Sequence, residues 1–565
     1  MSEVENISSP TDLTEEVHMQ TTTLVVGGGW IGIKTAFELA SANYRVVLIE
    51  RGASIGGHAS LEHPSPHSHE QLSSLLDTVK TDERIEVLSH TRLISLTGIP
   101  GNFHVRLVRN GDVLERDVGA VVVALEAERV SMTEAYGLNP SEQVLSQSQL
   151  EQVLASAEDK DQLLGDDGKD VVFLIGLHQE GNPLIMERAV RSAMAIQDAG
   201  RSQATILVGN VKLARDGLEG LYKKSREKGV LYFKLREPPR ISQNGSSCRI
   251  KFFDGVLHDD VELVPDLLVV EEAIRPDPQI VDLAEVLRIE TDREGFFQPD
   301  NVHYLPVRSG REGIYVIGSA RLPANLALGW ADARNAVLAV RNLLGEGRRP
   351  LPKAKAKIHR GKCTICLTCF RVCPHGAIYW DNRAVISPEA CQGCGICASE
   401  CPMDAIQLVD CEDDQMEAQI VASMDEEVGG PRIIAFCCQN SAYEAAEMAR
   451  LFGSSLPEGL QMIKVPCAGK VDVDYILTAF QAGADGVLVL ACHKDNCKSQ
   501  QGNIFADWRV EDARRMLEEV GLEKERLQFS TIASNMPMEF VRITREMADT
   551  VEALGPSRIK RQVAA

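Results

Sequence analysis

Short apolar, β-branched runs alternate along this chain with stretches whose apolar positions return every three to four residues. Residues 21–26 form such a run and lead through Gly27-Gly28-Gly29-Trp30-Ile31-Gly32 into a helical pattern that lasts to Ala40, so strand, tight turn and helix are expected. A second apolar strand over 45–49 ends on Glu50, and residues 118–125 predict a strand that returns to the same sheet. The polar, helix-prone stretch 131–169 leads away from it. A second α/β unit begins with the strand 170–176, continues through a helix at 187–199, and adds strands at 204–208 and 231–235. The chain then returns to the first unit with a strand at 313–318 that ends in Gly318-Ser319-Ala320, followed by a helix at 328–344. Residues 350–357, rich in Pro, Lys and Ala, read as a linker, and 412–427 as an acidic one. A last α/β pattern fills 431–554.

With 565 residues, three or four domains are expected. No apolar stretch approaches the roughly 20 residues needed to span a bilayer. Residues 1–20 are acidic and polar, where an export signal needs basic and then apolar residues. A cytoplasmic location is therefore expected. The net charge of -22 argues against nucleic acid as a partner, because phosphate binding needs a basic face. Such an acidic surface keeps a protein soluble and can steer docking to a basic redox partner.

The 15 cysteines change the picture most, since without export they point to metal ligands or reactive thiols before disulfides. Two runs, Cys363-x2-Cys366-x2-Cys369-x3-Cys373-Pro374 and Cys391-x2-Cys394-x2-Cys397-x3-Cys401-Pro402, carry the spacing of a two-cluster bacterial ferredoxin. In that pattern the fourth cysteine of each run crosses to the other cluster. One 4Fe-4S cluster is thus expected on Cys363, Cys366, Cys369 and Cys401, and a second on Cys391, Cys394, Cys397 and Cys373. Paired zinc knuckles fit less well, because they separate two C-x2-C pairs by a longer gap. Of the other seven, Cys437, Cys438, Cys467, Cys492 and Cys497 share one C-terminal segment, and Cys248 and Cys411 read as ordinary thiols.

The glycine-rich turn has a companion in Glu50, which lies where a Rossmann unit places the carboxylate for a ribose hydroxyl, while the glycines let backbone approach a pyrophosphate at a helix N-terminus. An adenine dinucleotide is expected there. The corresponding turn of the second unit, Gly176-Leu-His-Gln-Glu-Gly181-Asn, lacks that glycine spacing and argues against a nicotinamide site.

Taken with Gly56-Gly57, Leu96-Thr97-Gly98, Gly101-Asn102-Phe103, Gly295-Phe296-Phe297 and Gly318-Ser319-Ala320, the chain from 21 to 409 resembles the heterodisulfide reductase A-subunit family. The last domain is similar to the delta, iron-sulfur subunit of methyl-viologen-reducing hydrogenase, through Phe436-Cys437-Cys438, Val465-Pro466-Cys467-Ala468-Gly469-Lys470, 482–487 and Ala491-Cys492-His493 to Cys497. The resemblance implies an α/β, thioredoxin-reductase-like two-domain flavoprotein, followed by an α+β two-cluster ferredoxin module and a C-terminal α/β iron-sulfur domain. FAD would be held by Gly27, Gly29, Gly32, Glu50, Arg51, Gly57, Gly318 and Ser319. A 2Fe-2S cluster would sit on Cys438, Cys467, Cys492 and Cys497, with Cys437 spare or replacing Cys438, Ser441 in place of the family's next cysteine, and tetrathiolate zinc as the alternative. Redox partner chains are implied in a hetero-oligomer: heterodisulfide reductase B- or C-like chains, hydrogenase, formate dehydrogenase or acyl-CoA reductase-type proteins.

The sequence is read as lacking the family's N-terminal cluster domain, ferredoxin insert and second-domain cysteine motif, so no cluster is expected in the second domain. His58, His63, His67 and His69 stand where cysteines are common, and are read as a solvated or flavin-adjacent loop, with His493 as a neighbour of a cluster ligand. The chain resembles the trimmed relatives of that A-subunit family found in anaerobic electron complexes, those of sulfate reduction and of large benzoyl-CoA reductases. The expected division is an acidic disordered tail (1–20), a FAD domain in two parts (21–130 and 296–350), a second α/β unit (131–295), the ferredoxin module (351–410), an acidic linker (411–430), the delta-like domain (431–555) and a tail (556–565). The expected function is an electron-transfer component of a multi-subunit cytoplasmic oxidoreductase complex, with electron bifurcation or confurcation at the flavin as an open question. A relay scaffold whose flavin only conducts, and an NAD(P)H-dependent flavoprotein reductase, are the alternatives.

Overall fold

The computed structural model of the protein describes residues 14–56, 66–165, 167–297, 307–352, 354–424, 429–494 and 496–558. The first sheet has the order Ile314–Val316, Ala120–Val123, Thr22–Val26, Arg45–Ile49, Ile85–Leu88, with every neighbouring pair parallel. Helices Trp30–Ser41 and Leu326–Leu344 cover one face through Ile33, Ala36, Ala333 and Ala336. The antiparallel strands Thr91–Ile99, Asn102–Arg109 and Asp112–Val118, with helix Gln279–Leu287, cover the other. Burial on both faces is why these strands read as unbroken apolar runs.

The second sheet runs Val144–Ser146, Leu267–Val270, Asp170–Ile175, Gln203–Val208, Leu231–Lys234, again all parallel. Helix Pro183–Gln197 packs on one side of it and an antiparallel sheet of Arg240–Asn244, Ser247–Asp254 and Asp259–Leu263 on the other. Two strands, Glu128–Ser131 and Glu272–Arg275, pair antiparallel as the chain leaves and re-enters the first unit. The return therefore precedes residue 296: Ile280, Leu283, Leu287 and Ile289 already belong to the first unit's core.

Three expected coil segments carry structure. Thr14–His18, assigned to a disordered tail, pairs antiparallel with Arg348–Pro352, so part of the linker read at 350–357 is strand as well. Its two prolines are tolerated because a two-stranded ribbon has only edges. The acidic linker contains helix Asp413–Ala422, opened by a capping box of Glu412 and Gln415. Acidic residues in its first turn suit the helix dipole, and Met416 and Ile420 bury into the C-terminal core. At the far end Ser557 is buried and donates its amide to Asp485 Oδ1 at 2.9 Å, so the last domain outruns residue 555.

The ferredoxin module pairs Ala356–Ile358 with Ile406–Leu408 and Ile378–Asp381 with Arg383–Ile386, with short helices at Thr368–Val372 and Ile396–Ser399. The C-terminal sheet has the order Leu460–Val465, Ile433–Cys438, Gly486–Ala491, Leu527–Thr531, all parallel. Helices Ala442–Leu451 and Pro537–Leu554 pack on one face, and Val473–Gln481 and Gly502–Glu519 on the other.

Candidate functional site

The glycine turn behaves as its sequence requires. Gly27 has a φ of 112°, and a β-carbon at Gly32 would come within 1.9 Å of the Gly27 carbonyl oxygen, so helix and strand touch only because that atom is missing. Glu50 closes the next strand, accepting from the Gly28 amide at 2.7 Å and the Gly52 amide at 2.6 Å. A cavity of about 660 Å³ opens from Gly27, Gly29 and Glu50 towards Ser319 and Asn325. That volume lies in the range of cofactor sites. The Trp30 indole N–H is buried at the same mouth without a partner. Gly318 has a φ of 56° and donates to Asp332 Oδ2 at 2.9 Å; Asp332 is in turn paired with buried Arg321. Arg51 is exposed and is not among the residues that line this cavity, and Gly57, with His58 and His63, lies outside the described residues. His67 and His69 fall in helix Pro66–Thr81.

Glu126, which no sequence signal marks, places its carboxylate at the start of helix Trp30–Ser41. It accepts from the Trp30 amide at 3.4 Å, and a β-carbon at Gly29 would lie 2.3 Å from it. A carboxylate thus stands where the helix dipole favours a phosphate. The cradle fits an adenine dinucleotide once that side chain swings aside.

In the ferredoxin module the fourth cysteine of each run lies with the first three of the other. Cys363, Cys366, Cys369 and Cys401 line one small cavity together with Ile358, Leu367 and Pro402. Cys391, Cys394 and Cys397 interact with one another and with Cys373. The two halves repeat each other: the Ala377 amide donates to Cys373 Sγ and the Ala405 amide to Cys401 Sγ, both at 3.4 Å. Gly393 and Gly395 are left-handed, and Ile365 and Leu367 adopt the same backbone in the first run, with φ of 61° and 57°. Burial pushes the thiols of Cys373, Cys391, Cys394 and Cys397 up, so without a cation they hold their protons. Exposed Cys366 goes the other way, through hydrogen bonding from Thr368.

The C-terminal thiols meet at the carboxyl ends of three adjacent parallel strands. Cys438 ends one, Cys467 follows the strand that closes at Val465, Cys492 follows the one that closes at Ala491, and the loop beyond supplies Cys497. Cys438 Sγ lies 3.7 Å from Cys492 Sγ. Cys467 and Cys492 each interact with both Cys438 and Cys497, so the four close a ring. Hydrogen bonds around it hold Cys438 and Cys497 well below the usual thiol range and push Cys467 and Cys492 well above it. Four buried thiolates need added positive charge to coexist. Cys437 faces the opposite side of its strand and packs with the other helix layer. Strand alternation therefore separates the two neighbours, and only Cys438 reaches the ring. Ser441 is buried with an unpartnered hydroxyl, and His493 Nδ1 meets Thr531 Oγ1 at 2.9 Å. Among the described residues no three His, Cys, Asp or Glu side chains converge at the spacing of a single metal ion. A cluster, which spreads its thiolates over more than one iron, does not require that convergence.

The ring abuts the second ferredoxin set. Fully buried Ile396, between Cys394 and Cys397, has its side chain against Gly469 and Gly502, and a β-carbon at Gly502 would lie 2.4 Å from Cys467 Sγ. Arg509 fixes the junction, reaching Glu400 at 2.6 Å and the carbonyls of Gly469 and Val471. Lys470, 1% exposed, pairs with Asp413 at 2.8 Å and bonds Tyr475, tying down the helix that had read as linker.

In the second α/β unit the mouth of the turn is filled. Buried Glu271 accepts from the Gly176 amide at 2.8 Å and from the Tyr136 hydroxyl at 2.8 Å, and Tyr136 stacks edge-on against His178. No helix among the described residues is long and apolar enough to cross a membrane.

Comparison with known proteins follows this division. Residues 25–88 match the NAD(P)-binding Rossmann-like domain, 362–405 the 4Fe-4S dicluster domain, and 433–555 the methyl-viologen-reducing hydrogenase, delta subunit family. Over 96% of its length the chain is 22% identical to the A-subunit of the ferredoxin:CoB-CoM heterodisulfide reductase of Methanosarcina mazei, covering 81% of that protein. A Lactococcus lactis thioredoxin reductase structure aligns with a TM-score of 0.40 at 15% identity, over 57% of this chain and 99% of that one. Over 23% of its length the chain is 38% identical to the iron-sulfur D-subunit of the vhu F420-non-reducing hydrogenase of Methanocaldococcus jannaschii, and it covers 98% of that protein. Residues 433–555 of the chain belong to the methyl-viologen-reducing hydrogenase, delta subunit family, joined to a body similar to the heterodisulfide reductase A-subunit.

Proposed function

We propose that this protein is an electron-transfer component of a multi-subunit cytoplasmic oxidoreductase, holding FAD in the Gly27 to Ser319 cavity, two 4Fe-4S clusters on the crossed cysteine sets and a 2Fe-2S cluster on the C-terminal ring. The observation that carries this reading is the contact of Ile396 with Gly469 and Gly502, which sets the ring against the Cys373, Cys391, Cys394, Cys397 set with one side chain between them. Flavin exchanges electrons singly or in pairs, whereas each cluster passes one at a time, so the combination suits conversion between the two. The chain's own part is to bury the thiols, hold the two sets in register and shield the junction from water. Relatives named as the A-subunit of heterodisulfide reductase and the D-subunit of a hydrogenase support redox chains as partners. The missing glycine spacing between Gly176 and Gly181 speaks against the NAD(P)H reductase reading.

A cofactor census tests the proposal. Anaerobically purified protein is expected to release one FAD and to show two four-iron clusters and one two-iron cluster by Mössbauer spectroscopy. Stoichiometric zinc with no two-iron component would overturn the C-terminal assignment.

A further inference from the structure

We propose that Arg311, supplied by the Rossmann domain, is the built-in counter-cation of the cluster held by Cys373, Cys391, Cys394 and Cys397, and that its charge raises that cluster's reduction potential. This rests on the ferredoxin reading above. Arg311 is 3% exposed, yet among the described residues no carboxylate faces it. Its Nη1 donates to the Leu287 carbonyl at 3.0 Å, its guanidinium lies 5.5 Å from the Phe103 ring centroid, and its Nε has no partner. A buried cation so weakly compensated is costly unless a negative group stands nearby.

The group it faces is the ferredoxin module. Gly376 has a φ of 60°, and a β-carbon there would come within 2.8 Å of Arg311 Nε, so the guanidinium lies against the backbone three residues beyond Cys373. His375 Nδ1 meets the Gly310 carbonyl at 2.8 Å and pins the two loops together. Burial and the like charge of Arg288 hold Arg311 down to about 10, while Cys373 acts in the opposite sense. It stays charged at neutral pH. A four-thiolate cubane carries net negative charge and gains one more unit on one-electron reduction, so this cation has its counter-ion there. The fixed cation favours the reduced state, more strongly than at the surface because the site is dry.

The test is an anaerobic potentiometric titration of the full chain, read by EPR, for the native protein and for Arg311→Gln and Arg311→Lys. Gln keeps a donor for Leu287 and loses the charge; Lys keeps the charge and loses the fork. In Arg311→Gln one cubane midpoint is expected to fall by about 59 mV, a roughly tenfold loss in its reduced-to-oxidised ratio at fixed potential, with the other cubane unmoved. Arg311→Lys should restore the native midpoint. Unchanged midpoints in a fully loaded Arg311→Gln protein would overturn the proposal. So would failure of both variants to load the cluster, which would make the guanidinium a strut. If only Gln fails to load and Lys titrates as native, the charge is required and the proposal stands. Native protein without cubane signals would instead defeat the ferredoxin reading itself.

Discussion

Cys437 and Cys438 are neighbours in sequence and both fully buried, yet they answer to opposite faces of one strand. Cys438→Ser should therefore abolish the two-iron signal and leave both cubanes, whereas Cys437→Ser should keep all three clusters. EPR of the two variants side by side checks this, and loss of the two-iron signal in Cys437→Ser alone would reverse the assignment. The choice was legible in principle: Ile434, Phe436 and Cys438 share one face of the strand, Ile433, Ala435 and Cys437 the other. Spacing between cysteines carries no such information, which is why it left the pair open. Glu126 was not legible, because a single glutamate after an apolar strand has no pattern. Its carboxylate competes with a pyrophosphate for the same helix N-terminus, so Glu126→Ala is expected to tighten FAD binding by about 1 kcal/mol, roughly fivefold, in a flavin-release titration. Weaker binding in the variant would mean that the carboxylate helps to hold the cofactor.

At the scale of elements, the apolar strands and the glycine turns announced themselves, whereas amphipathic order hidden in acidic sequence did not. Helix Asp413–Ala422 shows only Met416 and Ile420 as buried positions, too few to mark a period, and it is placed by its own Asp413, which accepts from Lys470 and Tyr475 of the C-terminal domain. The paired strands Glu128–Ser131 and Glu272–Arg275 are similar. They are short and charged, and one of them is tied to the second unit by Arg188, which binds Glu151 at 2.8 Å and Glu272 at 2.9 Å, all largely buried. Burial pushes the Glu272 carboxyl up, but Arg188, Ser148 and Ser146 outweigh it and hold it below the ordinary glutamate value. A depressed carboxyl contributes stability that is present above its unfolded pKa and lost as pH falls through the folded one. Glu272→Gln should therefore loosen this ribbon at pH 7 by about 3 kcal/mol, the cost of leaving a buried charge short of a partner. The gap should narrow as the pH falls below about 4.3, where unfolded glutamate takes up a proton. Amide hydrogen exchange in the two strands, native against variant at neutral pH and near that acid limit, reads both; a gap independent of pH would mean that packing, not charge, orders the ribbon. Glu187 adds a second tie between the units, reaching Asn325 at 3.0 Å while Arg215 bonds the Pro323 carbonyl at 3.1 Å.

At the scale of the whole molecule, the order of parts was legible and their contacts were not. The two ferredoxin runs and the C-terminal cysteines follow one another in sequence, but nothing in their spacing says that Gly502 borders both Cys467 and Ile396. Nor does it say that Arg509 locks Glu400 to the loop after Cys467. These junctions set the ring at Cys438 against the Cys373 set, which Arg311 borders, and on the proposed reading they join the cysteine sets into one line. The most direct measurement is EPR of the fully reduced protein, following magnetic coupling between the two-iron cluster and its neighbour. The two-iron signal should be broadened by the adjacent cubane, and should sharpen to that of an isolated cluster in Cys394→Ser protein that has lost that cubane. An unbroadened two-iron signal in the native protein, with both cubanes present and reduced, would contradict a continuous line through Ile396.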